Sequence, residues 1–136
     1  MVQIDAGAAG VGTFSYPIRV HSADRSRSEE LHPLVDTGSL FTWLPAAVLQ
    51  RLGASPERQV PFKMANGQFL TRPVGEVGIE IDGQTQTSIV VFAGPDDMTL
   101  LGAHTLEAFL LMPDVVHQRL VPIVGTVATG VPGPSA

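Results

Sequence analysis

Short stretches of alternating apolar and polar residues make up most of this chain, and glycine, proline, asparagine or aspartate marks the breaks between them. Phe14, Tyr16, Ile18 and Val20 alternate with Thr13, Ser15, Arg19 and His21, the period-2 pattern of a strand with one buried face. Pro17 lacks an N–H for the ladder, which puts this strand at an edge or a bulge. Residues 23–28 read as a polar turn and residues 29–35 as the returning strand of a hairpin. Residues 41–44 form a short apolar stretch. Pro45 then opens a helix that runs through Ala46, Ala47, Leu49 and Leu52 to Gly53, which fits a left-handed cap. Residues 59–64 and 68–73 flank Ala65-Asn66-Gly67, where Asn-Gly predicts a type I′ turn with both residues at positive φ. Val77, Ile79 and Ile81 alternate up to a second turn at Asp82-Gly83, and residues 85–92 return. After a loop at 93–97 come Leu100-Leu101-Gly102, a short helix at about 104–109, a stretch at 110–112, a turn near Pro113-Asp114 and a last strand through 119–124. The pattern predicts a small all-β domain, closed and barrel-like, with one or two short helices.

Composition narrows this picture. A chain of 136 residues with 44% hydrophobic content is one domain's worth, able to bury roughly two-thirds of its unfolded surface in a single core. The expected domain spans residues 13–124, between a flexible segment at 1–12 and a flexible Gly/Pro-rich tail at 125–136. Eight Lys and Arg against thirteen Asp and Glu offer no basic stripe, so nucleic acid is not an expected partner. The absence of cysteine excludes a disulfide framework, a zinc ribbon and a thiol nucleophile. With no charged-then-apolar leader at residues 1–12 and no apolar run near the length of a membrane helix, a soluble cytoplasmic protein without membrane contact is expected.

Chemistry concentrates in Val35-Asp36-Thr37-Gly38-Ser39. An apolar pair, Leu34-Val35, delivers the aspartate into a loop, and a hydrophobic segment ending Trp43-Leu44-Pro45 leaves it. Far along the chain, Leu100-Leu101-Gly102 supplies a second apolar pair followed by glycine.

These elements resemble the aspartic proteases, in particular the retroviral-type (retropepsin-like) branch and its stand-alone single-domain forms in bacteria and archaea. Asp36-Thr37-Gly38-Ser39 is similar to the catalytic loop, and residues 41–45 to the Leu-Trp-Val-Pro stretch that follows it in pepsin-like enzymes. Residues 62–81 resemble the flap hairpin, and Thr99-Leu100-Leu101-Gly102 the segment before the family's short helix. The resemblance implies the acid-protease fold and an aspartic endopeptidase, with Asp36, Thr37, Gly38 and Ser39 as catalytic residues. It implies substrate contacts at Ala65, Asn66, Gly67 and Gln68 of the flap tip and at Leu101. No cofactor and no metal are expected, because the nucleophile is water.

The residues give the same chemistry a physical basis. Two carboxylates about 3 Å apart cannot both ionise, so they hold one proton and serve as base and acid together. This chain has one Asp-Thr-Gly and no room for a duplicated lobe, so the site requires a two-fold homodimer with Asp36 from each subunit. Gly38 lets the loops approach and offers its N–H to a carboxylate. Ser39 is expected to donate to Asp36, and by resemblance the Thr37 hydroxyl bonds across to the partner loop. The flap would pair with an extended peptide or protein substrate as an added strand. An alternative reading is a non-catalytic retropepsin-like module for dimerisation or peptide binding. The family pattern is incomplete here: Ala103-His104 stands where the viral enzymes have arginine, and the flap tip carries Gly67 alone. Trp43 is expected in the core, His104 and His117 as isolated histidines, Asp96-Asp97 as an acidic loop, and Glu29-Glu30 with Arg25 and Arg27 as solvated charges.

Overall fold

Two prolines shape the first hairpin. The computed structural model describes residues 13–123, and there β1 (Ile18–His21) pairs antiparallel with β2 (Ser28–Leu31), Ile18 facing Leu31. The same register returns at an isolated bridge between Ser15 and Leu34. Between the two, Pro17 and Pro33 interrupt the ladder, because neither has an N–H to donate. The single strand expected at 29–35 is therefore split. Its second half, β3 (Leu34–Val35), pairs on its other side in parallel with β8 (Leu100–Leu101). The expected flexible segments at 1–12 and 125–136 lie outside the described residues.

The remaining strands of the main sheet are β4 (Thr42–Pro45), β5 (Arg58–Lys63), β6 (Phe69–Ile81) and β7 (Gln84–Ala93). The order runs β2-β1-β6-β7-β4-β8-β3, with β5 added to β6. The two ends of this order, β2 and β3, are successive parts of one extended arm, so the sheet curls back towards itself. This bears out the expected barrel-like all-β class. A second, two-stranded sheet joins β9 (Leu111–Asp114) to β10 (Arg119–Pro122). Pro113 and Asp114 lie inside β9, and the turn expected there falls at 115–118 instead, where Gln118 takes φ 52°.

Two turns that look alike in sequence differ in structure. Asp82 and Gly83 both have positive φ, 51° and 82°, and connect β6 to β7 by a two-residue type I′ loop. Asn66 does not have positive φ; only Gly67 does, at 87°. Gly67 N–H donates to Met64 O at 2.9 Å and Met64 N–H to Gln68 O at 2.7 Å. This is a three-residue loop, a type I turn followed by a left-handed residue, in place of the expected type I′ turn. Asn66 uses its side chain instead, Oδ1 accepting from Gln68 N–H at 2.9 Å.

Helix α1 (Ala46–Arg51) follows Pro45, which acts as its cap, and ends at Gly53 with φ 79°. Helix α2 (Ala103–Ala108) follows Gly102. The main core gathers Phe14, Ile18, Val20, Leu44, Leu49, Ile79, Leu101 and Leu106 with their neighbours. A second core under the β5–β6 hairpin holds Trp43, Phe62, Val74, Val91, Ala93 and Leu100. Trp43 is wholly buried, as expected, with its ring 5.0 Å from that of Phe62.

Glu29 is not simply solvated: its carboxylate takes both Arg51 Nε and Nη2, at 3.0 and 2.7 Å, tying β2 to α1. The β1–β2 turn is organised by Asp24, which accepts from the Ser26 hydroxyl at 2.7 Å, the Ser26 N–H at 3.0 Å and the Ser22 hydroxyl at 2.9 Å. These bonds, the Ser26 hydroxyl foremost, lower its pKa from 3.8 to about 2. A depressed carboxylate stabilises the fold fully above its unfolded pKa, and that contribution is lost as pH falls through the folded value. Stability should therefore drop between about pH 3.8 and about pH 2, and by less in Asp24→Asn. Thermal unfolding of both proteins across that window checks this, and identical slopes would refute it.

Candidate functional site

The Asp36 loop hangs from β8. Leu34 N–H donates to Thr99 O at 2.9 Å and Asp36 N–H to Leu101 O at 3.0 Å, so the first residue of β3 and the first loop residue both hang from the 99–101 segment. Ser39 N–H then bonds Asp36 O at 3.2 Å, closing a tight turn. Inside it, Gly38 N–H donates to Asp36 Oδ1 at 2.9 Å, the bond expected from the sequence. Backbone geometry thus aims the carboxylate without help from a distant side chain. Asp36 is half-buried, while Thr37, Gly38 and Leu40 are exposed. A Cβ at Gly38 would stand 3.1 Å from Asp36 Oδ1, so a larger residue would crowd the carboxylate.

The start of α2 braces the loop from below. Ala103 N–H donates to Ser39 O at 2.8 Å and His104 N–H to Leu40 O at 2.9 Å. Gly102 makes this approach possible: a Cβ there would overlap the Phe41 carbonyl and lie 2.9 Å from Ser39 O. Under the brace runs a chain of buried hydroxyls. Gly102 N–H donates to Thr42 Oγ1 at 3.0 Å, Thr42 lies 2.6 Å from the Thr105 hydroxyl, and Thr105 2.8 Å from that of Ser88. Each of these buried oxygens has a partner, which avoids the cost of an unsatisfied group, about 1–3 kcal/mol each. Sequence reasoning missed all three residues. The only signal was hydroxyls at inward positions of otherwise apolar runs, as with Thr42 between Phe41 and Trp43.

Two expectations fail here. The Ser39 hydroxyl does not donate to Asp36; it is wholly buried and donates to Phe41 O at 2.7 Å. Its role is to hold the exit of the loop. Leu101 is not a substrate contact either, since its side chain is wholly enclosed in the main core and only its carbonyl serves the site. Ala65, Asn66, Gly67 and Gln68, at the tip of the β5–β6 hairpin, are all exposed. Their hairpin is joined to the loop's exit through Phe41, whose ring meets Phe62 edge-on at 6.2 Å.

His104 lies edge-on to Phe41 at 6.1 Å, and His117 bonds Asp114 at 2.8 Å. Asp97 is no free acidic loop residue. It takes Arg72 Nε at 2.6 Å and Nη2 at 3.0 Å, and Gly94 N–H at 2.7 Å. No cluster of three or more metal-ligating side chains occurs among the described residues.

Comparison with known proteins agrees with this geometry. A family model described as "Aspartyl protease" matches residues 16–105, which include the Asp36 loop, the β5–β6 hairpin and Gly102. The fold is similar to that reported as "Solution structure of Simian Foamy Virus (mac) protease", with a TM-score of 0.51 and 18% identity. That match covers 73% of this chain and 98% of the viral one. No curated protein matches the chain. The β9–β10 hairpin lies beyond the family match.

Proposed function

Starting from the fact that this chain belongs to the aspartyl protease family, we propose that it is an aspartic endopeptidase whose site forms between two copies of Asp36 in a homodimer. One observation carries this reading: a single aspartate, aimed by its own loop through Gly38 N–H, next to the exposed Thr37 and Gly38. A lone carboxylate can act as base or as acid but not as both at once. A second copy across a two-fold axis brings the same group, and the pair retains one proton. The ionised member takes a proton from water, which attacks the scissile carbonyl, while the protonated member gives its proton to the carbonyl oxygen. The tetrahedral adduct then collapses: the carboxyl that took the water's proton gives it to the amide nitrogen, the C–N bond breaks, and a hydroxyl of the adduct returns its proton to the other carboxylate, restoring the singly protonated pair. Thr37 is assigned the contact to the partner loop, and residues 65–68 the main-chain pairing with substrate.

The dimer also has an apolar surface to use. Leu110, Met112, Val115 and Val116 are exposed around the β9–β10 hairpin, and Leu40 beside the Asp36 loop. We assign these to contacts with the second copy.

The test is a peptide library incubated with the protein between about pH 3 and 7, with and without a pepstatin-like transition-state analogue, alongside sedimentation. Cleavage that the analogue blocks, and specific activity that falls on dilution as dimers dissociate, are expected. A strict monomer that cleaves at full specific activity would overturn the shared site. A dimer that cleaves nothing in the library would favour the binding-module reading.

A further inference from the structure

We propose that the Arg72–Asp97 ion pair is a positioning device that fixes the flap hairpin to the strand carrying the Asp36 loop. This rests on the protease reading and adds residues to it.

Sheet pairing to β7 stops part-way along the hairpin. Strand β6 is held by β7 only as far as Val74, which faces Val91; from Pro73 to Phe69 it pairs with β5 alone. Beyond Val74 the hairpin is therefore a two-stranded ribbon, an arrangement that is marginal without other support. Part of that support is apolar, from Phe62 against Trp43 and Phe41. The other part is polar. Arg72 sits two residues beyond the last β7 contact and grips Asp97 with two parallel bonds of 2.6 and 3.0 Å. A third guanidinium nitrogen, Nη1, donates to Thr71 O at 2.9 Å, fixing the fork relative to its own strand.

Asp97 faces the site from the other side. It lies in the 94–99 loop, where it also accepts Gly94 N–H and donates its own N–H to Gly94 O at 3.0 Å. Two residues later, Thr99 O receives Leu34 N–H, and Leu101 O receives Asp36 N–H. One short path thus joins the flap stem, the ion pair, β8 and the loop that aims the carboxylate. The pair is well placed to transmit position. The Asp97 side chain is 9% exposed and that of Arg72 24%, against 31% and 59% for Glu29 and Arg51. Charge-assisted, bidentate bonds withdrawn from water are short, directional and weakly screened. In keeping with this, Asp97 titrates below the ordinary carboxylate range: burial alone would raise it, but Arg72 and the Gly94 N–H outweigh burial.

Asp97→Asn, which keeps the native size, and Arg72→Gln, which is shorter and uncharged, test the proposal in the full-length protein, with Arg72→Lys as the variant that keeps the charge. The first readout is amide hydrogen exchange at Met64 and Gly67 in the flap and at Leu34 and Asp36 in the loop, with β9 and β10 as the reference. Exchange about tenfold faster at both places, with the reference unchanged, is expected, as is partial restoration in Arg72→Lys. On any peptide the native protein cleaves, KM should rise about tenfold while kcat changes less, because a displaced flap weakens binding before chemistry. Faster exchange confined to residues 94–97, or spread evenly over the whole chain, would show a purely local or purely structural pair and overturn the proposal. An unchanged KM would overturn it too. A protein that cleaves nothing defeats the protease reading alone, because the exchange pattern still decides whether flap and loop are coupled.

Discussion

Asp36→Asn is expected to lower kcat/KM by about 10⁴-fold, because in a homodimer one substitution removes the general base and the general acid together. The change is close to isosteric, and the amide oxygen can still accept Gly38 N–H, which donates to Oδ1 at 2.9 Å in the native loop. Fold and dimer should therefore survive, as sedimentation and circular dichroism would show. Mixing sharpens the test. If the site is shared, native protein exchanged with an equal amount of Asp36→Asn leaves only about a quarter of the dimers with two carboxylates, and activity should fall below simple dilution. Activity that merely halves the specific rate would mean that each chain works alone.

Gly102→Ala is expected to be more damaging than the same change at any other described glycine. Gly102 has an ordinary extended backbone, φ −94° and ψ 173°, so conformational freedom is not why glycine is there. The reason is space. The new Cβ would overlap the Phe41 carbonyl and press on Ser39 O, and both are backbone atoms of the loop that carries Asp36. Overpacking against flexible side chains costs about 1–3 kcal/mol, and rigid backbone leaves less room to relax, so a loss of about 3 kcal/mol or more is expected. For a domain of this size that corresponds to a fall in Tm of about 10 °C. Gly67→Ala is the useful contrast. Nothing lies within 4 Å of its Cβ position, but its φ of 87° is strained for alanine, so a smaller loss of about 1 kcal/mol is expected, confined to the flap. Thermal unfolding ranks the two, and a Gly102→Ala protein as stable as Gly67→Ala would refute the close-packing argument.

How far such details could be read from sequence varied with their physical origin. The Asp36 loop, the β5–β6 hairpin and the Leu-Leu-Gly segment depend on local alternation and residue type and appear where expected. The strand expected at 29–35 is split, and the first strand, expected at an edge or a bulge, instead lies between β2 and β6 because Pro17 falls just before β1. The turn types did not follow, because Asn66-Gly67 and Asp82-Gly83 are equivalent dipeptides until the strands choose a register. Pairing Met64 with Gln68 leaves three residues in the first loop, and pairing Ile81 with Gln84 leaves two in the second. The Ser39 hydroxyl had two nearby acceptors in principle, Asp36 and Phe41, and only the path of the chain after Leu40 selects the latter. Leu101 reads equally well as core or pocket until the main core assembles around it. Arg72 and Asp97, 25 positions apart, carry no periodic signal at all.

The parallel pairing of β3 with β8 bears on when the Asp36 loop can take shape during synthesis. Leu34 and Val35 meet Leu100 and Leu101, so the strand that presents Asp36 finds its parallel partner only 66 residues later. During synthesis the first hairpin and the β5–β6–β7 meander can form from nearby contacts, but this closure waits for the longest loop of the domain. Until residue 101 has left the ribosome, Leu34 and Val35 have only their pairing with Phe14 and Ser15, and Asp36 N–H lacks its acceptor, Leu101 O. Chain order alone therefore sets when the loop acquires its bonds to the 99–101 segment.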